Sequence, residues 1–166
     1  SAKGQAAHEK EFTKLAHTAG DAPRIIDQPP LIFHYDDTRT EKFRADSERS
    51  IADYLESIAP ERRVLLNRYE LVDVAVKVVG VGSVGTFCGI ALFISGNGDP
   101  LFIQIKQARQ SVLEPYAGAS PYAHAGQRVV VGQRLMQAAG DLFLGWYTGT
   151  GSEGLYYYAR QLRDAK

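Results

Sequence analysis

The segment Gly80-Val81-Gly82-Ser83-Val84-Gly85 has the spacing Gly-x-Gly-x-x-Gly, and Lys106 closes the alternating run Leu101-Phe102-Ile103-Gln104-Ile105-Lys106. Glycines so spaced let a backbone approach phosphate oxygens without a Cβ in the way, and the pattern serves two unrelated kinds of site. In a dinucleotide-binding fold the glycines lead into a helix whose N-terminus holds a pyrophosphate. In a phosphate-covering hairpin they lead into a second strand, and a lysine on the strand after that contacts the phosphates. Here Thr86 to Ile94 is rich in aromatic and β-branched residues, followed by the turn-forming Ser95-Gly96-Asn97-Gly98-Asp99-Pro100. The spacing therefore predicts a hairpin, with Gly80, Gly82, Ser83 and Gly85 covering phosphates and Lys106 touching them. An ammonium set among apolar neighbours keeps its charge best beside a phosphate or carboxylate. The competing reading is architectural: glycines that only make a turn, and a solvated lysine.

A lysine in such a site needs a carboxylate to orient it, and the candidate helix Gln127 to Ala139 contains none. Glu114, in a loop before Pro115, is the nearest candidate partner, though loop glutamates are more often solvated. No Asp-Phe-Gly and no catalytic-loop Asp and Asn pair occurs, so phosphoryl transfer is not complete on these residues. His8, His17, His34 and His124 lack metal-ligand spacing, so no zinc is expected. Cys88, the single cysteine, sits among apolar residues and reads as a packed side chain. Tyr156, Tyr157 and Tyr158 with Arg160 and Arg163 could stack on bases, but alternate tyrosines on a strand are more often core and rim, and Trp146 reads as core.

The elements that must position these residues follow from periodicity. Residues 1–20 carry Phe12, Leu15 and Ala16 at helical spacing and end at Gly20, predicting a helix. Arg24 to Ile26 and Leu31 to Tyr35, split by Pro29-Pro30, read as short edge strands or extended arms. Thr40 to Ala59 places Phe43, Ile51, Tyr54, Leu55 and Ile58 on one stripe and predicts an amphipathic helix stopped by Pro60, with a short helix over Glu61 to Tyr69. Strands are expected at Leu71–Gly82, Gly85–Ile94, Leu101–Lys106, Leu142–Tyr147 and Leu155–Leu162. Pro115 to Pro121 reads as a loop, and the Gln127–Ala139 helix should bury Val130, Val131, Leu135 and Ala138. The fold class is α+β: an antiparallel sheet with a packed helix, like the small lobe of kinase-like folds, plus N-terminal helices. The division expected is 1–70, helical and extended, and 71–166, β-rich.

Lys plus Arg equal Asp plus Glu at 19 each, so the chain has no field to attract nucleic acid or anionic lipid. No apolar run reaches the roughly 20 residues of a membrane span and residues 1–10 lack a signal core, which leads to an expectation of a cytoplasmic chain.

Several blocks carry a family resemblance: Val78 to Thr86, Asp99 to Phe102, Ser111 to Tyr116, Gly126 to Val130, Gly132 to Ala139 and Arg160 to Asp164. Together they resemble the uncharacterised bacterial family DUF2252 from about Arg24 onward. Members of that family are longer, with an upstream Gly-Asp-x-His-x-x-Asn segment and acidic strand similar to the catalytic loop and metal site of aminoglycoside phosphotransferases. The resemblance implies a circularly permuted kinase of which this chain is the glycine-loop lobe, with ATP and Mg as ligands of the full-length protein. Where many relatives have a glutamate between Val130 and Gly132, this sequence has Val131. Three functions stay open: the nucleotide-binding lobe of a kinase-like phosphotransferase of unknown substrate, a non-catalytic interaction module, and a dinucleotide oxidoreductase, which requires a helix after Gly85.

Overall fold

Period-two alternation builds a sheet in the second half of the chain, and helices cover it. The computed structural model describes residues 15–19, 22–79, 85–137, 140–151 and 154–162. Within them the order is β1 (Ala16–Ala19), β2 (Ala22–Ile25), β3 (Ile32–Phe33), α1 (Asp37–Ser57), α2 (Pro60–Leu66), β4 (Tyr69–Lys77), β5 (Cys88–Ser95), β6 (Pro100–Ala108), α3 (Glu114–Ala117), α4 (Ala125–Met136), β7 (Gly145–Thr148) and β8 (Tyr156–Gln161). β1 and β2 form a two-stranded sheet, and the other strands form one antiparallel sheet in the order β3-β4-β5-β6-β8-β7. The fold is mixed α+β, as the sequence indicates. β8 inserts between β6 and β7, so the C-terminal hairpin is folded back onto the lysine strand.

The sheet's two faces are dressed differently. α1 starts where the Asp36 side chain accepts from the Arg39 amide at 3.0 Å, a helix N-cap. It ends at Ile58 because Ala59 precedes Pro60, whose ring disfavours helical backbone at the residue before it. Pro60 also opens α2 at its first turn, where a missing N–H is no loss. Tyr54 and Ile58 pack with Val74, Phe93, Leu101, Ile103 and Ile105 in a core between α1 and the sheet. Polar contacts lock the same join: Ser57 Oγ accepts from the Trp146 amide at 2.8 Å and Asp53 from the Thr148 amide at 2.6 Å.

On the other face, the β1–β2 hairpin buries Ala16 and Ile25 against Ile90, Leu92, Phe102 and Leu162. α4 lies on this face too, since its Arg134 guanidinium sits 5.6 Å from the ring of Trp146, and Trp146 pairs across β8 with Tyr158, which pairs with Lys106. Directly opposed residues share a face. Gly126 lets α4 come this close, because a Cβ there would collide with the Tyr157 carbonyl oxygen.

A buried carboxylate ties the hairpin down. Asp73, 8% exposed on β4, accepts from the Ile25 amide at 2.7 Å and from the Val74 amide at 2.9 Å. His34 lies between Asp73 (Nε2, 3.1 Å) and Asp27 (Nδ1, 2.7 Å), and only an imidazolium can donate to both. The bond to Asp73 is the main force raising the His34 pKa above its ordinary value of 6.5; burial works against it.

Four expectations are corrected. Residues 16–19 are strand, not helix, because pairing with β2 lets Ala16 reach the core; residues 1–14 and 20–21 lie outside the described residues. α4 ends at Met136, and Leu135 is 82% exposed while Val130 is fully buried, so the helix turns a narrower face inward than its spacing implies. The expected loop at Pro115 begins with the single turn of α3. Leu142 and Phe143 form a turn, the strand starting only at Gly145.

Two outcomes follow. Gly126→Ala should destabilise by roughly 2–3 kcal/mol through overpacking, whereas Gly132→Ala on the same helix, with open space at its Cβ, should stabilise by up to about 1 kcal/mol; urea melts of both check this. For His34 the folded pKa is the higher one, so its contribution is fully present below pH 6.5 and is lost as pH rises through the raised folded value. Thermal midpoints should fall as pH rises through that window, and His34→Gln should flatten the fall.

Candidate functional site

Lys106 stands near the end of β6, opposite Cys88 of β5 on one side and Tyr158 of β8 on the other. All three therefore project from the face that carries α4. Gln104, two residues earlier, projects the same way; it is buried, its Nε2 donates to Cys88 Sγ at 3.6 Å, and its Oε1 accepts from Arg160 Nε at 3.1 Å. Cys88 is thus the centre of a positive field: Lys106, Lys77 and Arg160 each act on its thiol. Burial outweighs them and pushes the thiol pKa up, so Cys88 is a protonated, packed side chain and not a nucleophile. Lys106 is half-buried and makes no ion pair with any carboxylate among the described residues.

Lys77 and Arg160, but not Lys106, line a cavity of about 420 Å³ whose walls also include Gln104, Gln133, Gln137 and Asp141. The one carboxylate among its described lining residues is already engaged, since Asp141 accepts from the Phe143 and Gln161 amides, each at 2.9 Å. The arrangement suits an anion with a polar body. By contrast, the void between α1 and the sheet is only about 30 Å³, walled by core residues such as Tyr54, Phe93 and Ile103, and cannot take a ligand.

The residues singled out from sequence fall as follows. Gly80, Gly82 and Ser83 lie outside the described residues. β4 and β5, which flank them, are antiparallel neighbours with Val76 opposite Gly89, so the connection is strand to strand, and no helix follows Gly85; this removes the dinucleotide reading. Gly85 has φ +79°, a conformation that strains any side chain, and its carbonyl accepts from the Arg109 guanidinium. Lys106 is brought beside the hairpin arm that starts at Cys88. Glu114 is not brought to it in an ion pair: it accepts from Gln110 Nε2 at 2.7 Å and from the Ser111 amide at 3.4 Å. Val131 faces a different groove, shared with Leu113, Gly132 and Leu135, while Gln133 and Gln137 are the α4 residues that reach the cavity.

Lys77 and Arg160 were not apparent as site residues. Lys77 ends β4 in the same alternation that sets Lys106, but its placement needs the β4–β5 register. The sequence pattern groups Arg160 with the tyrosines, of which Tyr156 lies against His124 with the rings tilted and 4.2 Å between centroids, and Tyr157 packs against the α1 core. Among the described residues no group of three His, Cys, Asp or Glu side chains could hold a metal ion, and no helix is long and apolar enough to cross a membrane.

The model of the bacterial family DUF2252, described as an uncharacterised protein conserved in bacteria, matches residues 1–166. The chain belongs to DUF2252. No curated protein and no solved structure matches it. For this DUF2252 member the chemistry must therefore be argued from the cation-bearing face itself. The thiol gives a first check of that face: Cys88 should resist a thiol reagent at neutral pH in the native protein and react at least tenfold faster once urea unfolds it, as burial demands.

Proposed function

We propose that this chain is the nucleotide-binding lobe of a kinase-like phosphotransferase, holding phosphates against Lys106, Lys77 and Arg160 under the 80–85 glycine hairpin. The observation that carries the reading is the convergence of three cations around Cys88 on one half-covered sheet face, without a matching carboxylate among the described residues. Charged groups on an interior-facing surface are stabilised by a counter-ion, and a polyphosphate brings several negative charges to one place. The element order is consistent with it: two antiparallel strands, β4 and β5, flank the glycine segment, and the lysine strand, a helix and a second hairpin follow, as in phosphate-covering small lobes. The cations fit the phosphates of ATP. Among the described residues the face offers no group of carboxylates for Mg, since Asp141 is spent on backbone amides.

A second reading, the interaction module, has its own support. Val112, Leu113, Tyr116, Leu135 and Met136 are exposed large apolar residues, and Leu113 and Leu135 wall a groove of about 390 Å³ between α3 and α4. Solvent-facing apolar groups so clustered mark contact surfaces.

Titration calorimetry of Mg-ATP into the intact protein separates the two. Saturable binding should weaken at least tenfold in Lys106→Ala, with smaller losses in Lys77→Ala, and should fall with added salt, as a partly screened charge contact does. A folded protein that binds no nucleotide at millimolar concentration sinks the phosphotransferase reading and leaves the interaction module.

A further inference from the structure

Independently of that reading, the opposite face of the sheet carries a second pocket. It has a volume of about 420 Å³ and lies where the first turns of α1 pass over β5, β7 and β8. Its walls are aromatic: Tyr35, Phe43, Phe87, Tyr147 and Tyr157. The rings are set against one another, Phe43 on Phe87 edge to face at 5.1 Å, Phe87 on Tyr157 at 6.2 Å, and Tyr157 stacked on Tyr147 at 5.3 Å. Gly89 makes room for this lining, since a Cβ there would lie 2.9 Å from Phe43 and 3.1 Å from Phe87.

Charge decides what the lining can take. An aromatic cage open to water is a good site for an organic cation, but here the rim carries Arg39 and Lys42, which oppose one. The rim's carboxylate, Asp46, is already paired with Arg49 and accepts from Thr150 Oγ1 at 3.2 Å. Arg39 pairs with Asp36 at 3.4 Å, whereas Lys42 has no carboxylate partner among the described residues. The rim is left with one unneutralised positive charge above an aromatic floor. A volume in this range holds one or two fused rings with a substituent.

We propose that this pocket is a binding site for a planar aromatic acid, its ring lying on the Phe43–Phe87–Tyr157 floor and its carboxylate or phosphate held by Lys42. Because Phe87 is two residues from Gly85, and its amide and carbonyl bond Gln107 Oε1 at 3.3 Å and the Gln107 amide at 2.9 Å, an occupant would brace the start of β5 against β6.

The test is an amide NMR titration of the intact protein with 2-naphthoate, against 2-naphthylmethylammonium, which has a similar ring and opposite charge. The naphthoate should saturate, shifting amides of residues 39–46, 87, 147 and 157, and should bind at least fivefold tighter than the ammonium probe. Lys42→Glu, a change on an exposed position, should raise the naphthoate Kd at least fivefold, and Tyr35→Ala, which trims the wall without touching charge, should weaken both probes alike. No saturation at several millimolar naphthoate, equal binding of the two probes, or indifference to Lys42→Glu would each overturn the proposal.

Discussion

Everything at the candidate site depends on the register between β5 and β6. Cys88 opposite Lys106, Ile90 opposite Gln104 and Leu92 opposite Phe102 place polar groups and one apolar cluster on the α4 face, and leave Leu101, Ile103 and Ile105 for α1. A slip of one residue would exchange the two sets, drive Lys106 and Gln104 beneath α1 and expose three large apolar side chains. The turn guards against this. The Ser95 amide donates to the Asp99 carbonyl at 2.9 Å, Ser95 Oγ accepts from the Asp99 amide at 3.0 Å, and Gly98 takes φ +85° to close the loop. Local turn chemistry and the alternation on both arms thus specify the same pairing, and neither arm could satisfy its neighbours in another.

With that register fixed, the two faces solve different problems. The α1 face is mainly an apolar core, and helix bonds to the Trp146 and Thr148 amides of β7 help to lock it. The other face has to accommodate ionised groups. Asp73 is reconciled with burial by two backbone amides and His34, a closed arrangement that needs no ligand. Lys106, Lys77 and Arg160 have no equivalent: one glutamine serves Arg160, and the lysines are left to solvent or an incoming anion. A fold that satisfies its buried carboxylate so fully and leaves its cations open is asymmetric in a way that favours anion binding over internal pairing.

The meander β4–β5–β6 was legible in the sequence because its strands alternate and the turn between β5 and β6 is short, although β4 ends at Lys77 and β5 begins only at Cys88, so the strands expected to run to Gly82 and from Gly85 are shorter. α1 was legible because Phe43, Ile51, Tyr54 and Ile58 recur at helical spacing and Pro60 marks the end. The strand nature of residues 16–19 was not, since Leu15 and Ala16 fit a helix locally and only pairing with Ala22–Ile25 makes a strand of them. The inward face of α4 was misjudged for a related reason: Leu135 continues the apolar spacing of Val130 but lies past the edge of what β7 and β8 cover. Lys106 was singled out by motif spacing alone, whereas the place of Arg160 beside Gln104 required knowing that β8 pairs with β6, a non-local contact no local pattern encodes.

The orientation of α4 bears on what kind of site this is. A catalytic lysine held ready for phosphoryl transfer is paired with a carboxylate from the neighbouring helix. Here the position occupied by Val131 turns toward the α3 groove, and the helix reaches the cavity through Gln133 and Gln137, neutral amides that can donate to an anion or accept from an ammonium but cannot neutralise one. Val131 thus points away from the cavity that Gln133 and Gln137 enter, and the close fit of Gly126 on the Tyr157 carbonyl holds α4 in that orientation. Lys106 makes no ion pair among the described residues, so an anion arriving there would have no internal carboxylate to displace and only hydration to replace. The described geometry is therefore that of a sheet face whose positive charge has no carboxylate partner from α4.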